Sequence, residues 1–300
     1  RPRSPRGLKR SRFRISPVTV FFVLLSLALG VVLYVKTRPS PPSRRPPVIP
    51  SAVPSPRPRA SPSPRPSPSP SAAAIPREEP SVPRIAIVID DLGNDVPAME
   101  RIARWPYEVC GAVLPVLPAS DRTARQLVES GKQVLLHLPM EPRNPRMRPG
   151  PGVVLRSQTE EQISQTLESD LDSVPGAAGV SNHMGSAATA DARVMRAVAR
   201  VLARRGLFFL DSRTTGATVA GEAAREERVP TVSRRVFLDD VATEVEVRKA
   251  LDELIAHARA EGSAVGLGHP YAATLVVLER ELPTLSHRGV RLVPVSELTR

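Results

Sequence analysis

The feature that most constrains the fold is a repeated alternation of short apolar runs and longer amphipathic segments across residues 84–300. The apolar runs predict strands at 84–90, 108–114, 132–138, 177–182, 206–211, 230–238, 263–268 and 290–295. Helical spacing of apolar residues predicts helices at 95–104, 120–130, 158–173, 190–205, 243–260 and 271–282. Nearly continuous apolar strands are typical of a parallel sheet that is covered on both faces. We therefore predict an α/β domain, built either as a barrel or as an open doubly wound sheet.

The beginning of the chain predicts a membrane segment. Residues 1–17 carry seven Lys/Arg and no acidic residue, and the next 18 residues, 18–35, are uncharged. A helix needs about 20 apolar residues to cross a bilayer, and a basic flank favours the cytoplasmic side. We predict a basic cytoplasmic tail at 1–17 and a transmembrane signal anchor at 18–36. A cleaved signal peptide is the alternative, but its apolar core would be shorter and followed by a small-residue cleavage site.

A proline-rich segment follows the predicted anchor. Residues 38–70 contain fourteen prolines mixed with Ser and Arg. Such a composition cannot bury a core and favours polyproline II, so 37–83 is predicted to be a disordered linker. Binding to a proline-recognising partner is the alternative. With this order we expect a single-pass protein of the bacterial cytoplasmic (inner) membrane, with its N-terminus in the cytoplasm and the domain 84–300 in the periplasm or outside.

The net charge of +12 belongs to the anchor and linker. Residues 1–84 hold 16 Lys/Arg and 2 Asp/Glu, whereas residues 85–300 hold 26 and 28. The predicted domain is therefore not basic, and no nucleic acid is expected as a partner. No glycine-rich phosphate loop follows the first strand, so a nucleotide cofactor is not predicted. The only cysteine, Cys110, lies in an apolar run and is predicted to be a buried small hydrophobic residue.

Reactive side chains follow most of the predicted strands. The carboxyl ends of parallel strands meet at one end of such a fold, where the functional sites lie. The residues found there are Asp90, Asp91, His137, Glu141, Asn182, His183, Asp211, Arg213, Asp239, Asp240 and His269. The two remaining histidines, His257 and His287, are predicted to be solvated surface residues.

Two acidic pairs among these residues have competing interpretations. Asp90 and Asp91 either cap the next helix or belong to a site, because adjacent carboxylates disfavour each other's ionisation unless something compensates their charge. Asp239 and Asp240 are predicted to be caps or ion-pair partners. Convergence of carboxylates and imidazoles on one rim favours a site, since one Asp and two His form a common set for a hydrolytic Zn²⁺. A second Asp can then accept a proton from water.

Six short motifs, taken together, resemble the divergent polysaccharide deacetylase family. They are "IDDLG", "HLPMEP", "SNHMGS", "FLDSRT", "FLDD" and "GHP", and they extend over residues 84–300. The resemblance implies a deformed (β/α) barrel of about seven parallel strands and a divalent metal ion, with Zn²⁺ as the first candidate. It also implies hydrolysis of acetyl groups from an envelope polysaccharide or peptidoglycan.

The resemblance also implies a metal site and a general base. Asp90 would be the general base, and Asp91 would be a metal ligand. His137 corresponds to the first histidine of the clan's His-x₃-His motif, and Glu141 stands where the second histidine would be. Either Glu141 or His183 then completes the metal site. We favour Asp91, His137 and His183.

Further roles are expected from the other motifs. His269, in "GLGH", corresponds to the general acid, and Asp211 corresponds to an Asp that orients a catalytic group. Asn182 and Arg213 lie at strand ends and are predicted to contact substrate. Tyr271, next to His269, is placed to serve as a platform for a sugar. "NHMGS" replaces the clan's usual arginine motif.

Three functions remain open from the sequence. The first is a membrane-anchored, metal-dependent hydrolase that cleaves acetyl amides or esters, and the basic, Pro/Gly-rich segment 141–157 would form a loop over its site. The second is a catalytically silent module that binds envelope glycan or protein on the same fold. The third is a purely structural protein of the envelope, which leaves the polar rim unexplained.

Overall fold

The computed structural model of the protein describes residues 82–300. The predicted tail 1–17, the anchor 18–36 and nearly all of the linker 37–83 lie outside the described residues. Within 82–300, none of the helices is both long and apolar enough to cross a bilayer.

The described part of the chain is an α/β domain. The strands are β1 (Arg84–Leu92), β2 (Val109–Val113), β3 (Val134–Met140), β4 (Ala177–Met184), β5 (Phe208–Asp211), β6 (Thr231–Ser233), β7 (Val236–Phe237), β8 (Ser263–Gly268) and β9 (Arg291–Leu292). The α-helices are α1 (Val96–Ala103), α2 (Ser120–Glu129), α3 (Glu160–Asp172), α4 (Ala192–Arg205), α5 (Ala220–Glu226), α6 (Glu244–Glu261) and α7 (Ala272–Glu281). Apart from the strand predicted at 230–238, the predicted strands and helices occur within a few residues of these bounds. Helix α5 was not predicted, because seven residues are too few to establish a helical period.

All strands belong to one parallel sheet. Its order is β6-β5-β4-β3-β2-β1-β8-β7, and β9 pairs with the amino end of β1. The prediction of a single strand at 230–238 is wrong, because the chain leaves the sheet at Arg234 and Arg235 and re-enters it as β7 at the opposite edge. Two residues span only about 7 Å, so the two edges of the sheet lie close together. The sheet is therefore curled, in agreement with the α/β class and consistent with a deformed barrel.

The two faces of the sheet bury different side chains. Alternate residues of a strand point to opposite faces. Ile85, Ile87 and Ile89 of β1 join the larger core, which includes the buried faces of the helices. Ala86 and Val88 join a smaller core with Cys110 and residues near the end of the chain. Both faces of β1 are thus buried, which explains its continuous apolar run.

Cys110 is buried, as predicted, and is a free thiol. Burial is the main cause that raises the pKa of this thiol to about 12. A thiol with such a pKa stays protonated at neutral pH, so it packs as a small apolar group.

Candidate metal and catalytic site

A cavity of about 400 Å³ opens at the carboxyl ends of the strands. Six of the predicted site residues line it, and they come from β1, β3, β4 and the end of β8: Asp90, Asp91, His137, Asn182, His183 and His269. The parallel order of the strands explains why residues distant in sequence meet here.

A bulge in β1 brings both members of the acidic pair to the cavity. Neighbouring side chains of a regular strand point to opposite faces, so only one carboxylate would face the cavity. The ladder between β1 and β2 shifts register between Ile89 and Leu92, and Asp91 has a φ of 58°. A bulge with a left-handed residue re-aims side chains in this way. Both Asp90 and Asp91 consequently line the cavity.

Neither carboxylate caps the helix that follows. The cap of α1 is Asp95, whose Oδ1 accepts a hydrogen bond from the backbone N–H of Ala98 at 2.9 Å. The interpretation of Asp90 and Asp91 as helix caps is therefore wrong.

Three side chains converge on a small volume that could hold a metal ion. Oδ1 of Asp91 lies 2.9 Å from Nδ1 of His183 and 3.2 Å from Nε2 of His137. The two imidazole nitrogens are 3.3 Å apart. All three atoms lie within 4.8 Å of one another. An oxygen and two nitrogens at this spacing form a set of the kind that binds Zn²⁺ while leaving positions open.

Ser181 holds the ring of His137. It is the direct neighbour of His137 across β3 and β4, and its Oγ lies 2.8 Å from Nδ1. Because Nδ1 is engaged there, Nε2 is left to face Asp91. The sequence prediction missed Ser181. The available signal was its position two residues before His183, on the same face of one strand.

The charges of the cluster alter its pKa values. Burial acts to raise the pKa of Asp91, but the adjacent imidazoles of His137 and His183 outweigh it and hold that pKa well below the usual range. Burial raises the pKa of Asp90, and the charge of His137 opposes this only in part. Burial lowers the pKa of His137, but Asp90 and Asp91 reverse this and the net shift is upward. The two carboxylates thus favour the positively charged form of His137.

His269 and Asp239 form a second pair at the rim. Nδ1 of His269 is 2.9 Å from Oδ1 of Asp239, and Oδ2 accepts hydrogen bonds from the backbone N–H of His269 at 2.6 Å and from Thr274 at 2.8 Å. Burial lowers the pKa of His269, but the bond to Asp239 outweighs it and the pKa rises to about 9. The prediction that Asp239 is an ion-pair partner is confirmed, and its partner is His269.

Pairing of β7 with β8 explains this contact. Phe237 is the direct neighbour of Leu267, and Asp239 and His269 each lie two residues beyond this pair. The ring of Phe237 lies 6.3 Å from that of His269 at an interplanar angle of 20°. The ring of Tyr271 also stacks on that of His269, with the ring centroids 5.3 Å apart. Tyr271 is 48% exposed.

Comparison with known proteins places this site in a family. Residues 87–299 match the family described as divergent polysaccharide deacetylase. The chain belongs to this family. Its similar relatives include an uncharacterised protein of Haemophilus influenzae, 35% identical over 217 residues that cover 72% of this chain and 77% of the relative. The protein YibQ of Escherichia coli is 37% identical over 216 residues, covering 72% of this chain and 67% of YibQ.

One solved structure from Agrobacterium tumefaciens has the same fold. The uncharacterised protein ATU2773 superimposes with a TM-score of 0.69 at 27% identity, covering 72% of this chain and 88% of that one. The family match over residues 87–299 confirms the assignment suggested by the six motifs.

Four of the predicted site residues do not line the cavity, namely Glu141, Asp211, Arg213 and Tyr271. Glu141 receives hydrogen bonds from the backbone and guanidinium of Arg156, at 2.7 to 3.2 Å, and is not part of the three-atom group. Asp211 accepts hydrogen bonds from the backbone of Arg213 at 2.8 Å and from Thr218 at 3.0 Å. Burial raises the pKa of Asp211. Arg213 is exposed and has a φ of 48°.

Asn182 lines the cavity but is also bound to the backbone. Its Oδ1 accepts a hydrogen bond from the N–H of Ser212 at 2.8 Å, and its Nδ2 donates to the carbonyl of Met184 at 2.8 Å. The amide therefore joins the ends of β4 and β5 and fixes the cavity wall in this member of the family.

Proposed function

We propose that this chain is a metal-dependent hydrolase that removes acetyl groups from an envelope polysaccharide or a related amide or ester. The observation that carries the proposal is the approach of Asp91, His137 and His183 within one cavity, with their ligand atoms inside 4.8 Å. The family to which the chain belongs supports a glycan or peptidoglycan as the substrate. The deformed (β/α) barrel would serve as the scaffold.

The residues present fit a divalent ion. Oδ1 of Asp91 is buried and has no hydrogen-bond partner of good geometry within the described residues, although two imidazoles lie beside it. Such an orphaned oxygen is expected where a cation binds. Zn²⁺ is the first candidate, because it favours a carboxylate and two imidazoles. When bound, the ion would polarise the acetyl carbonyl and lower the pKa of a nearby water.

Asp90 is proposed as the general base. It is 2% exposed, its Oδ1 has no hydrogen-bond partner among the described residues, and Nδ1 of His137 lies 3.8 Å away. Burial raises its pKa, which makes the carboxylate a stronger proton acceptor. Asp90 would take one proton from the water that attacks the acetyl carbon.

His269 is proposed as the general acid. Its Nδ1 is held by Asp239, and its Nε2 faces the cavity, 3.8 Å from Oδ2 of Asp91. With a pKa of about 9, the imidazole is protonated at neutral pH and can donate to a leaving group. Donation to the leaving nitrogen or oxygen would complete cleavage, giving acetate and a free amine or hydroxyl.

Other residues are proposed to position the substrate. Tyr271 exposes one face beside His269 and offers a platform for a sugar ring. Asn182 would act mainly by fixing the cavity wall, and Arg213 would contact groups beyond it. Asp211 would shape the turn that carries Arg213 rather than touch the reacting atoms.

Acetate release tests the proposal. The purified chain, loaded with Zn²⁺, is incubated with N-acetylglucosamine oligomers and acetylated xylan, and free acetate is measured. We expect release that disappears in His183→Ala and persists in His257→Ala, which alters a histidine of helix α6 that lies between two glutamates. No release above that of His183→Ala from any acetylated glycan would overturn the proposal.

A binding module without catalysis is the second candidate. It is favoured by Glu141, which stands where the clan has a second histidine. The carboxylate of Glu141 is paired with the guanidinium of Arg156. Glycan binding that is unchanged in Asp90→Ala and His183→Ala, without acetate release, would support this candidate.

We also propose an envelope location. Its support is the sequence of residues 1–83, with a basic tail, an uncharged run at 18–35 and a proline-rich linker. The tail would stay in the cytoplasm, the run at 18–36 would anchor the chain in the bacterial inner membrane, and the domain would act in the periplasm or outside. Protease accessibility of residues 84–300 in spheroplasts, compared with intact cells, tests this location.

A further inference from the structure

A second, larger cavity adjoins the proposed catalytic cavity. It has a volume of about 830 Å³ and is formed by the segment 141–157. Pro142 and Met147 line both cavities, so the two spaces adjoin each other at these residues. Ligand pockets commonly have volumes of about 300–1,000 Å³. A substrate that extends from the catalytic cavity would therefore enter this second space.

The ends of this segment are fastened to the sheet. The N–H of Glu141 donates to the carbonyl of Val154, and the N–H of Val154 donates to Pro139, both at 2.9 Å. The backbone N–H of Arg143 donates to Oγ of Ser186 at 3.0 Å. Because Ser186 lines the catalytic cavity, this bond places the beginning of the segment at the rim of that cavity.

The lining of the second cavity carries an excess of positive charge. Its charged residues are Arg143, Arg148, Arg156 and Glu141, and Arg156 is paired with Glu141. Within residues 82–300, neither Arg143 nor Arg148 forms an ion pair with a carboxylate, and both are exposed. The guanidinium of Arg148 donates instead to the carbonyl of Pro145 at 3.0 Å. Two guanidinium groups are thus available to an anion.

We propose that this cavity, formed by the segment 141–157, is a subsite for a carboxylate on the sugar next to the acetylated one. The inference rests on the proposed function and specifies its substrate as an acidic glycan. Guanidinium groups match the planar geometry of a carboxylate, and the proline and methionine side chains of the wall provide apolar surface for a sugar ring. The domain as a whole is not basic, which disfavours a long polyanion such as nucleic acid.

Binding measurements with paired oligosaccharides test the proposal. The purified chain is titrated in a calorimeter with a tetrasaccharide of alternating N-acetylglucosamine and glucuronate, and with the neutral tetramer of N-acetylglucosamine. A third titration uses an oligosaccharide that contains N-acetylmuramic acid, whose lactyl group carries the carboxylate. We expect at least one acidic oligosaccharide to bind about tenfold more tightly than the neutral one at low salt, with a smaller difference at high salt. Whichever binds more tightly identifies the source of the carboxylate.

Variants of the two free arginines make the test specific. In Arg143→Gln combined with Arg148→Gln, the preference for the acidic oligosaccharide should disappear, and lysine at both positions should restore part of it. Arg228→Gln is the matched control, because Arg228 is exposed and lies in the turn before β6, at the other end of the sheet. Equal affinities of the unaltered chain for acidic and neutral oligosaccharides would overturn the proposal. A preference for the acidic oligosaccharide that survives in the double variant would also overturn it. So would displacement of the bound acidic oligosaccharide that is stronger with inorganic phosphate than with acetate.

These outcomes are separable from those of the proposed function. Binding requires no turnover, so a chain that prefers acidic oligosaccharides but releases no acetate would contradict the hydrolase and retain the subsite. A chain that deacetylates acidic and neutral oligosaccharides equally well would contradict the subsite alone.

Discussion

Two regions of the domain bury carboxyl groups, and they shift the pKa of these groups in opposite directions. At the carboxyl ends of the strands, Asp91 lies beside two imidazoles that lower its pKa in spite of burial. On helix α3, Asp170 is 1% exposed, its Oδ2 has no hydrogen-bond partner among the described residues, and burial raises its pKa to about 8. The surroundings of Asp91 stabilise its charged form, whereas those of Asp170 disfavour it. Burial alone therefore does not mark a site, whereas burial with opposed partners does.

The largest expected effect concerns Asp90, which lines the same cavity as Asp91. Replacement by Asn keeps the shape but removes the proposed proton acceptor, so kcat should fall by about 10²–10⁴-fold while bound metal is retained. Kinetics of acetate release and elemental analysis of the same preparation check this. The matched control is Asp95→Asn, since Asn caps a helix as well as Asp and should leave kcat unchanged. Full activity of Asp90→Asn would contradict its role.

The second effect concerns the partner of His269. Asp239→Asn weakens the bond that holds Nδ1, so we expect kcat to fall by about 100-fold with little change in KM. Asp240→Asn, a change at the exposed neighbouring position, serves as the control. If both variants lost the same amount of activity, the effect would not act through His269.

The third effect concerns Asp170 on helix α3. The raised pKa of Asp170 means that the folded state favours the protonated acid, so the stability it provides at low pH is lost as the pH rises from about 4 through about 8. Asp170→Asn mimics the protonated acid and should raise the free energy of unfolding at pH 8, by no more than about 5 kcal/mol, with little effect near pH 4. Urea unfolding at both pH values measures this.

The control for this prediction is Asp172→Asn, an exposed position on the same helix. A stabilisation by Asp170→Asn that is equal at pH 4 and pH 8 would disprove the link to protonation.

The smallest expected effect concerns Glu141, a half-buried acidic residue that follows β3. Glu141→Gln weakens its ion pair with Arg156 and should lower the free energy of unfolding by about 1 kcal/mol, without loss of metal. Thermal unfolding of this variant, compared with Glu253→Gln on the surface, provides the measurement. Loss of the metal from Glu141→Gln would instead show that Glu141 is a ligand.

Much of the site was predictable because parallel strands deliver their carboxyl ends to one place. That rule alone brought Asp91, His137, His183 and His269 into one cavity. The family motifs then supplied proposed roles for them.

The remaining features of the site depend on details of strand geometry and pairing that the local sequence pattern does not predict. The bulge that turns both Asp90 and Asp91 inward is one of them, because a single left-handed residue changes which face each side chain occupies. The pairing of Asp239 with His269 required the break between β6 and β7, which sends the chain to the opposite edge of the sheet. The contact of Ser181 with His137 required the exact register of β3 and β4, which side-chain packing determines.

The most direct test of the account is the metal content of the chain. The full chain, purified without a histidine tag and incubated with Zn²⁺, is freed of excess metal and analysed by elemental mass spectrometry. We expect about one ion per chain, as a three-ligand site implies, with loss in His137→Ala and His183→Ala and retention in His257→Ala. Absence of bound metal in the unaltered chain, or equal metal content in His183→Ala, would contradict the proposed site.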